Sequence, residues 1–224
     1  LEEMYGASFD CGIEKSGDYH TIKFYLELLN NQFLPAEEDL SKKINCPIYM
    51  TPGMQKELEY IENYQLIEDD VIKISDLLIN VIKTSHDAPD PVGYVLTSQN
   101  KSLVYITDTG YINQKYFPLL TNKDIYIMES NHDIEMLTNG PYPFELRKRI
   151  LSDKGHLSNY DSAKYLAKFI GNNTKYILLA HLSEENNTKE KALNTLKERF
   201  VKENIDFDNI LVLEQNKETE LIKI

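Results

Sequence analysis

Apolar residues come in short bursts along this chain, and each burst ends in a loop-forming cluster. From Val71 to Ile82 the apolar positions include Val71, Ile74, Leu78, Ile79 and Ile82, and the stretch is interrupted at Asp76, which predicts two strands. The stretch from Val81 to Tyr111, VIKTSHDAPDPVGYVLTSQNKSLVYITDTGY, predicts strand, loop, strand, tight turn, strand and loop. Asp124 to Met128, Lys175 to Ala180, Ile210 to Leu213 and Leu221 to Ile224 read as further strands, and Ala7 to Phe9 as the tail of another.

Helical spacing alternates with these strands. From Tyr19, the positions Ile22, Tyr25, Leu26 and Leu29 follow one helix face that stops at Asn30-Asn31. Cys46 to Met50 predicts a short strand, with Thr51 as N-cap and Pro52 at the first position of a helix reaching about Tyr64. After the turn residues Asn139 to Pro143, a basic helix is expected around Glu145 to Leu151. Ser158-Asn159-Tyr160-Asp161 is a capping box with Asp in place of Glu; it opens a helix with Ala163, Leu166, Ala167 and Ile170 on one face, closed by Gly171. Asn187-Thr188 caps a final helix carrying Ala192, Leu196 and Phe200. Strands and helices interleave without repeats, so the class is α/β, expected as a single domain over 1–224.

Metal-competent side chains collect at the ends of the apolar runs. His86 follows one run, Asp108 another, and the strand at Asp124 delivers Glu129, Ser130, Asn131 and His132. His156 precedes a predicted helix and His181 ends a strand, which leaves His20, at an expected helix start, as the one histidine of five without such a setting. Neutral imidazole and carboxylate are the donor types that zinc and manganese accept, and strand ends hold the backbone firm while leaving side chains open to substrate.

Charge narrows the partners. Twenty-four basic against thirty-six acidic residues give a net charge of −12, so a polyanion cannot be held by the global field and needs a local basic patch or bound cations. Arg147, Lys148, Arg149 and Lys154 form the densest basic cluster, read either as a substrate contact or as a solvated helix face. Two cysteines, Cys11 and Cys46, fit core thiols in a reduced, cytoplasmic chain, and the apolar runs fall far short of the ~20 residues of a bilayer span.

The strings SHDAPDPVGY, YITDTGYI, ESNHDIEML, ILSDKGHLSNYDSA and LLAHLSEENN resemble the metallo-β-lactamase superfamily, and within it the YycJ/WalJ-type branch of metal-dependent hydrolases. The resemblance runs from about Cys46 to the C-terminus. It implies an αββα four-layer sandwich with a pair of divalent ions, zinc or manganese, at the sheet edges. It also implies His86 as a ligand of the first ion, Asp108 as the carboxylate bridging both, and His181 as a ligand of the second. His156 and His132 match positions that related branches place around the scissile phosphate, as proton donor or phosphate contact, with Glu129 orienting His132 or His156. Arg147, Arg149 and Lys154 are the expected substrate contacts.

The superfamily's signature His-x-His-x-Asp-His is absent where it belongs, and Asn31 to Asp39 stands in its place. Glu37, Glu38 and Asp39 there read as a solvated acidic loop. The expectation is that the sequence omits residues of its parent protein, which would restore two ions; His86, Asp108 and His181 alone would hold at most one. The implied activity is hydrolysis of phosphodiesters in DNA, of the 5′-to-3′ exonuclease type. The alternatives are a small-molecule hydrolase acting on a lactone, thioester or cyclic phosphodiester, and a non-catalytic scaffold.

Overall fold

The computed structural model describes residues 13–16, 19–22, 47–59, 61–214, 217 and 219–222. They divide into two units, one made of residues up to 68 with 215–218, the other of residues 69–214 with 219–224.

In the first unit, strand β1 (Ile13–Ser16) pairs antiparallel with β2 (Tyr19–Ile22). The helix expected from Tyr19 therefore does not begin there, and His20 lies in a strand. Tyr-His-Thr-Ile is rich in aromatic and β-branched residues, and with a partner strand in register these preferences outweigh an apolar spacing that fits a helix. The rest of that expected helix, the segment Ala7 to Phe9, the acidic loop at 37–39 and both cysteines lie outside the described residues. Farther on, β3 (Ile48–Met50) runs parallel to β4 (Tyr64–Leu66), with helix α1 (Pro52–Glu57) between them. Thr51 caps α1 by accepting from the Met54 amide at 3.3 Å, as its sequence predicts. The helix ends well before Tyr64, because Leu58 and Ile61 turn inward to bury against Met50 and the chain then extends into β4.

The second unit is built on a seven-stranded sheet. Its strands are β5 (Val71–Ile74), β6 (Leu77–Lys83), β7 (Val92–Ser98), β8 (Lys101–Ile106), β9 (Ile125–Glu129), β10 (Tyr176–Ala180) and β11 (Ile210–Val212). They lie side by side in the order β11-β10-β9-β8-β7-β6-β5. Strands β5 to β8 form an antiparallel meander, and β8 to β11 are parallel. The meander's tightest turn falls on Gln99 and Asn100, both in left-handed backbone (φ 48° and 65°), which matches the twist of the two strands it joins. Parallel neighbours need crossovers. These carry α2 (Phe117–Leu120), α3 (Ile134–Asn139), α4 (Phe144–Ile150), α5 (Asn159–Phe169) and α6 (Lys189–Lys202).

One face of the sheet supplies Ile82, Val95, Val104, Ile106, Tyr126, Met128, Ile177 and Leu179 to a core closed by α5 and α6. Leu166 and Phe169 of α5 and Leu196 and Phe200 of α6 are buried in it, each side chain worth ~1.5–3 kcal/mol of burial. Ser158 caps α5 through the Asp161 amide, and Thr188 caps α6 through the Lys191 amide. Ile170, expected on the face of α5, is its C-cap, and Phe169 fills the core position. Leu221 and Ile222 lie in no strand, so β11 is the last strand of this sheet among the described residues.

Candidate metal centre

Since β6 is antiparallel to β7, and β7 to β8, strand β6 runs the same way as β8, β9 and β10. The C-terminal ends of these four strands therefore share one edge of the sheet, where open α/β sheets collect their ligands. His86 lies in the loop after β6, Asp108 just past β8, Glu129 at the end of β9 and His181 immediately past β10. Asp108 and His181 both have left-handed backbone (φ 54° and 56°), a conformation that costs a non-glycine residue of order 1–3 kcal/mol and gathers at functional sites.

Glu129 organises the cluster from below. Its carboxylate is fully buried, and one oxygen, Oε1, lies 2.7 Å from Nδ1 of His156 and 2.7 Å from Nδ1 of His181. The other oxygen accepts from the amides of Thr109 at 3.0 Å and Leu157 at 3.2 Å. Burial alone would raise the Glu129 pKa, but the hydrogen bonds and charges of the two imidazoles hold it down at about 2. An ionised carboxylate can only accept, so both imidazoles carry their proton on Nδ1. Burial pushes the His181 pKa down, but the hydrogen bond to Glu129 and the charges of Asp108 and Glu129 outweigh it, and the net shift is upward.

His86 obeys the same logic with a different acceptor. Its Nδ1 lies 3.1 Å from the carbonyl oxygen of Gly155, which again fixes the proton on Nδ1. Nε2 of His86 then faces Asp108 Oδ1 at 3.8 Å and Asp87 Oδ1 at 3.4 Å, and Nε2 of His181 is 3.7 Å from the same Asp108 oxygen. In the neutral rings, two ring lone pairs and a carboxylate oxygen thus face one another. A proton on His181 or a metal ion relieves the repulsion among them, and the nitrogen and oxygen donors suit a divalent ion such as zinc or manganese. Asp108, Glu129, His156 and His181 also offer donor atoms within 4.8 Å of one another, although Glu129 Oε1 is already engaged by two imidazoles.

Glycines permit the loops to meet. A Cβ at Gly110 would fall 2.4 Å from the Asp153 carbonyl, and one at Gly155 would fall 2.1 Å from the Ile150 oxygen. These contacts seat the Asp108 loop against the turn after α4 and bring the Gly155 carbonyl to His86. Thr109 ties the same loop to the β6 end by accepting from the Ser85 amide at 3.0 Å. Beneath His181, Asn131 donates to the His181 carbonyl at 3.0 Å, and Asn187 donates to the carbonyls of Ser130 and Asn131.

The structure therefore gathers His86, Asp108, Glu129, His156 and His181 at one spot. His132 lies apart, 1% exposed and bridged through its backbone to Ser158, with neither ring nitrogen hydrogen-bonded among the described residues. Burial is the main reason its pKa falls to about 4. Glu129 bonds His156, as the sequence suggests, and its second partner is His181 rather than His132. The basic cluster separates as well: Arg149 forks onto both oxygens of Asp87, next to His86, Arg147 bonds the Thr138 carbonyl, and Lys148 and Lys154 are exposed. Asp87 has no place in the sequence reading, since only the fold brings α4 over the His86 loop.

A family model described as a beta-lactamase superfamily domain matches residues 36–181. The chain is 36% identical over 160 residues to the exodeoxyribonuclease YycJ of Bacillus anthracis, covering 68% of this chain and 61% of that one. It is 46% identical over 121 residues to the exodeoxyribonuclease WalJ of Streptococcus pneumoniae, covering 54% of this chain and 45% of the relative. The chain thus spans between 45% and 61% of the length of these relatives. The crystal structure of the metallo-beta-lactamase fold protein YhfI from Bacillus subtilis superposes with a TM-score of 0.57 at 15% identity, covering 81% of this chain and 69% of that one, a likeness of fold alone. With the family model spanning most of the chain, and the expected fold found in a solved structure, the chain belongs to the beta-lactamase superfamily and has the metallo-β-lactamase fold.

Proposed function

We propose that this chain hydrolyses phosphodiester bonds in DNA with the help of a divalent metal ion, in the manner of an exodeoxyribonuclease. The observation that carries the reading is the convergence of His86 Nε2 and His181 Nε2 on Asp108 Oδ1, with Nδ1 of each ring engaged by another acceptor. The names of the two exodeoxyribonuclease relatives support the substrate class.

His86, Asp108 and His181 would hold the ion. When bound there, a divalent cation polarises a phosphoryl oxygen and lowers the pKa of a nearby water. Glu129 keeps the His181 ring in the tautomer that presents Nε2, and the hydrogen bonds and charges of the two imidazoles outweigh its burial and keep the carboxylate ionised at neutral pH. His156 shares that carboxylate and lies beside Asp108, with its Nδ1 3.8 Å from Asp108 Oδ1. With Nδ1 donating to Glu129, the imidazolium form of His156 carries its second proton on the other ring nitrogen, and that proton passes to the leaving oxygen to give the neutral ring. Lys154, exposed at the residue before Gly155, offers a positive charge to the substrate phosphate.

A small-molecule substrate is the second reading, favoured by the net charge of −12. Hydrolysis assays on labelled single- and double-stranded DNA, a cyclic phosphodiester, a lactone and a thioester, with and without chelator, distinguish the two. Chelator-sensitive cleavage of DNA is expected. Cleavage of the lactone or thioester alone would move the assignment to the small-molecule class. No helix among the described residues is long and apolar enough to cross a membrane.

A further inference from the structure

Arg149, held by Asp87, is not the only basic group beside the loops of the metal centre. Two clefts open on the loops that carry Asp108 and His86. The larger, about 480 Å³, lies between the Tyr111–Phe117 segment and α5, where Lys164 and Lys168 line it. The smaller, about 140 Å³, runs past Lys83, Ser85 and Lys115. Tyr111 and Asn113 line both, so the clefts adjoin. The groove borders the two loops that carry site residues, since Tyr111 lies three residues past Asp108 and Ser85 immediately precedes His86, and the loops are joined by the Ser85 amide on Thr109 and the Gly110 amide on Ser85.

The lining has an unusual balance for this chain. It contains four lysines and no acidic residue, although the sequence has 36 acidic against 24 basic residues. Only Lys83 has an acidic partner, Asp90, among the described ion pairs of these lysines. Lys164 and Lys168 are one turn apart on α5, ~6 Å between their Cβ atoms, so both heads reach the same rim. The Lys115 ammonium lies 4.7 Å from the Tyr116 ring centre and that of Lys168 lies 4.5 Å from the Phe117 ring, so aromatic walls alternate with the cations. Tyr111 is 42% exposed with its ring available at the junction of the two clefts. Polyanion-binding cations interleaved with stackable rings are the arrangement that holds unpaired nucleotides: charge follows the backbone and rings take the base faces.

We infer that this groove binds unpaired DNA leading to the scissile phosphate, so that the substrate is a single strand or a frayed end. The inference rests on the phosphodiesterase reading above. A duplex cannot use Tyr111 in this way, because its base faces are already stacked.

The test is the affinity of the chain for a fluorescently labelled oligothymidylate of about ten nucleotides, within the usual single-strand site size, measured by anisotropy across a salt series with chelator present to prevent cleavage. The Lys164→Ala/Lys168→Ala variant is expected to bind about tenfold more weakly, and its log-affinity against log-salt slope should fall by about 1.4, or ~0.7 for each lost phosphate contact. Tyr111→Ala should weaken single-strand binding by about tenfold while leaving duplex binding nearly unchanged. Lys101→Ala/Lys175→Ala, at the opposite edge of the sheet, is the matched control. Affinity and slope that follow this control in the groove variants, or a duplex bound as tightly as the single strand, would overturn the inference. Hydrolysis of bis(p-nitrophenyl) phosphate by the unsubstituted, manganese-loaded chain reads the catalytic assignment separately. Strand binding through the groove without cleavage of that diester or of DNA leaves the groove standing and removes the phosphodiesterase reading. Cleavage with indifferent strand binding does the reverse.

Discussion

Glu129 accepts a hydrogen bond from Nδ1 of His181 at 2.7 Å, and this contact decides which atom of the imidazole faces Asp108. The carboxylate is fully buried and ionised, with four donors spread over its two oxygens. Glu129→Gln keeps the volume but replaces one acceptor by an amide N–H that opposes the ring protons. Metal affinity is expected to fall 10–100-fold, the usual effect of losing the group that orients a ligand. Titration calorimetry with zinc or manganese checks this, and an unchanged dissociation constant would mean that Glu129 only supports the fold.

His156 shares the Glu129 oxygen with His181, and its proposed role is to move a proton. His156→Ala is expected to lower kcat ~10²-fold or more without reducing metal content. Elemental analysis of the purified variant, alongside its turnover, separates the roles. Loss of metal from this variant would make His156 a ligand.

His132 has a pKa held near 4 in the fold against 6.5 when unfolded, chiefly by burial. Between those values the unfolded chain binds a proton that the folded chain does not. Its contribution to stability is therefore full above pH 6.5 and falls as pH drops toward 4, a loss of order 3 kcal/mol at the acid end. Denaturant unfolding at pH 7 and at pH 4.5 should show a smaller acid loss for His132→Gln than for the unsubstituted chain. Equal losses would mean that His132 titrates normally in the fold.

Arg149 and Lys154 are neighbours in sequence with different surroundings. Arg149 is engaged by both oxygens of Asp87, beside His86, and its contact draws the Asp87 pKa down to about 2. Arg149→Ala should therefore act through the placement of His86, lowering kcat with little change in the salt dependence of DNA binding. Lys154→Ala should raise KM for DNA and reduce that salt dependence by about one phosphate contact, or ~0.7 in slope. Salt-dependent KM measurements on both variants test the distinction, and identical behaviour would contradict it.

Much of the second unit was legible because each signal was local. Ser158 and Thr188 cap helices where their neighbours predict, Gln99-Asn100 turns where two apolar runs meet, and His86, Asp108 and His181 end strands as their apolar predecessors imply. The failures involve distant partners. Tyr19 to Ile22 has a helix-compatible spacing, but pairing with β1 decides its conformation. The α1 helix is cut short by the burial of Leu58 and Ile61 on Met50, which no local pattern encodes. Arg149 reads as a free cation until α4 is seen to meet Asp87, and the lysines of the groove are scattered from 83 to 168, so no window of sequence gathers them.

The central claim is metal-dependent phosphodiester hydrolysis at Asp108 and His181. Its most direct test is release of labelled nucleotide from single-stranded DNA by the chelated and manganese-reloaded chain, compared with Asp108→Ala and His181→Ala treated identically and shown by circular dichroism to be folded. Each substitution removes a proposed ligand without removing core volume, so folding should persist. The account predicts cleavage by the reloaded chain that chelator abolishes, and none above background in either variant. Retained cleavage in Asp108→Ala or His181→Ala at full metal occupancy would contradict it.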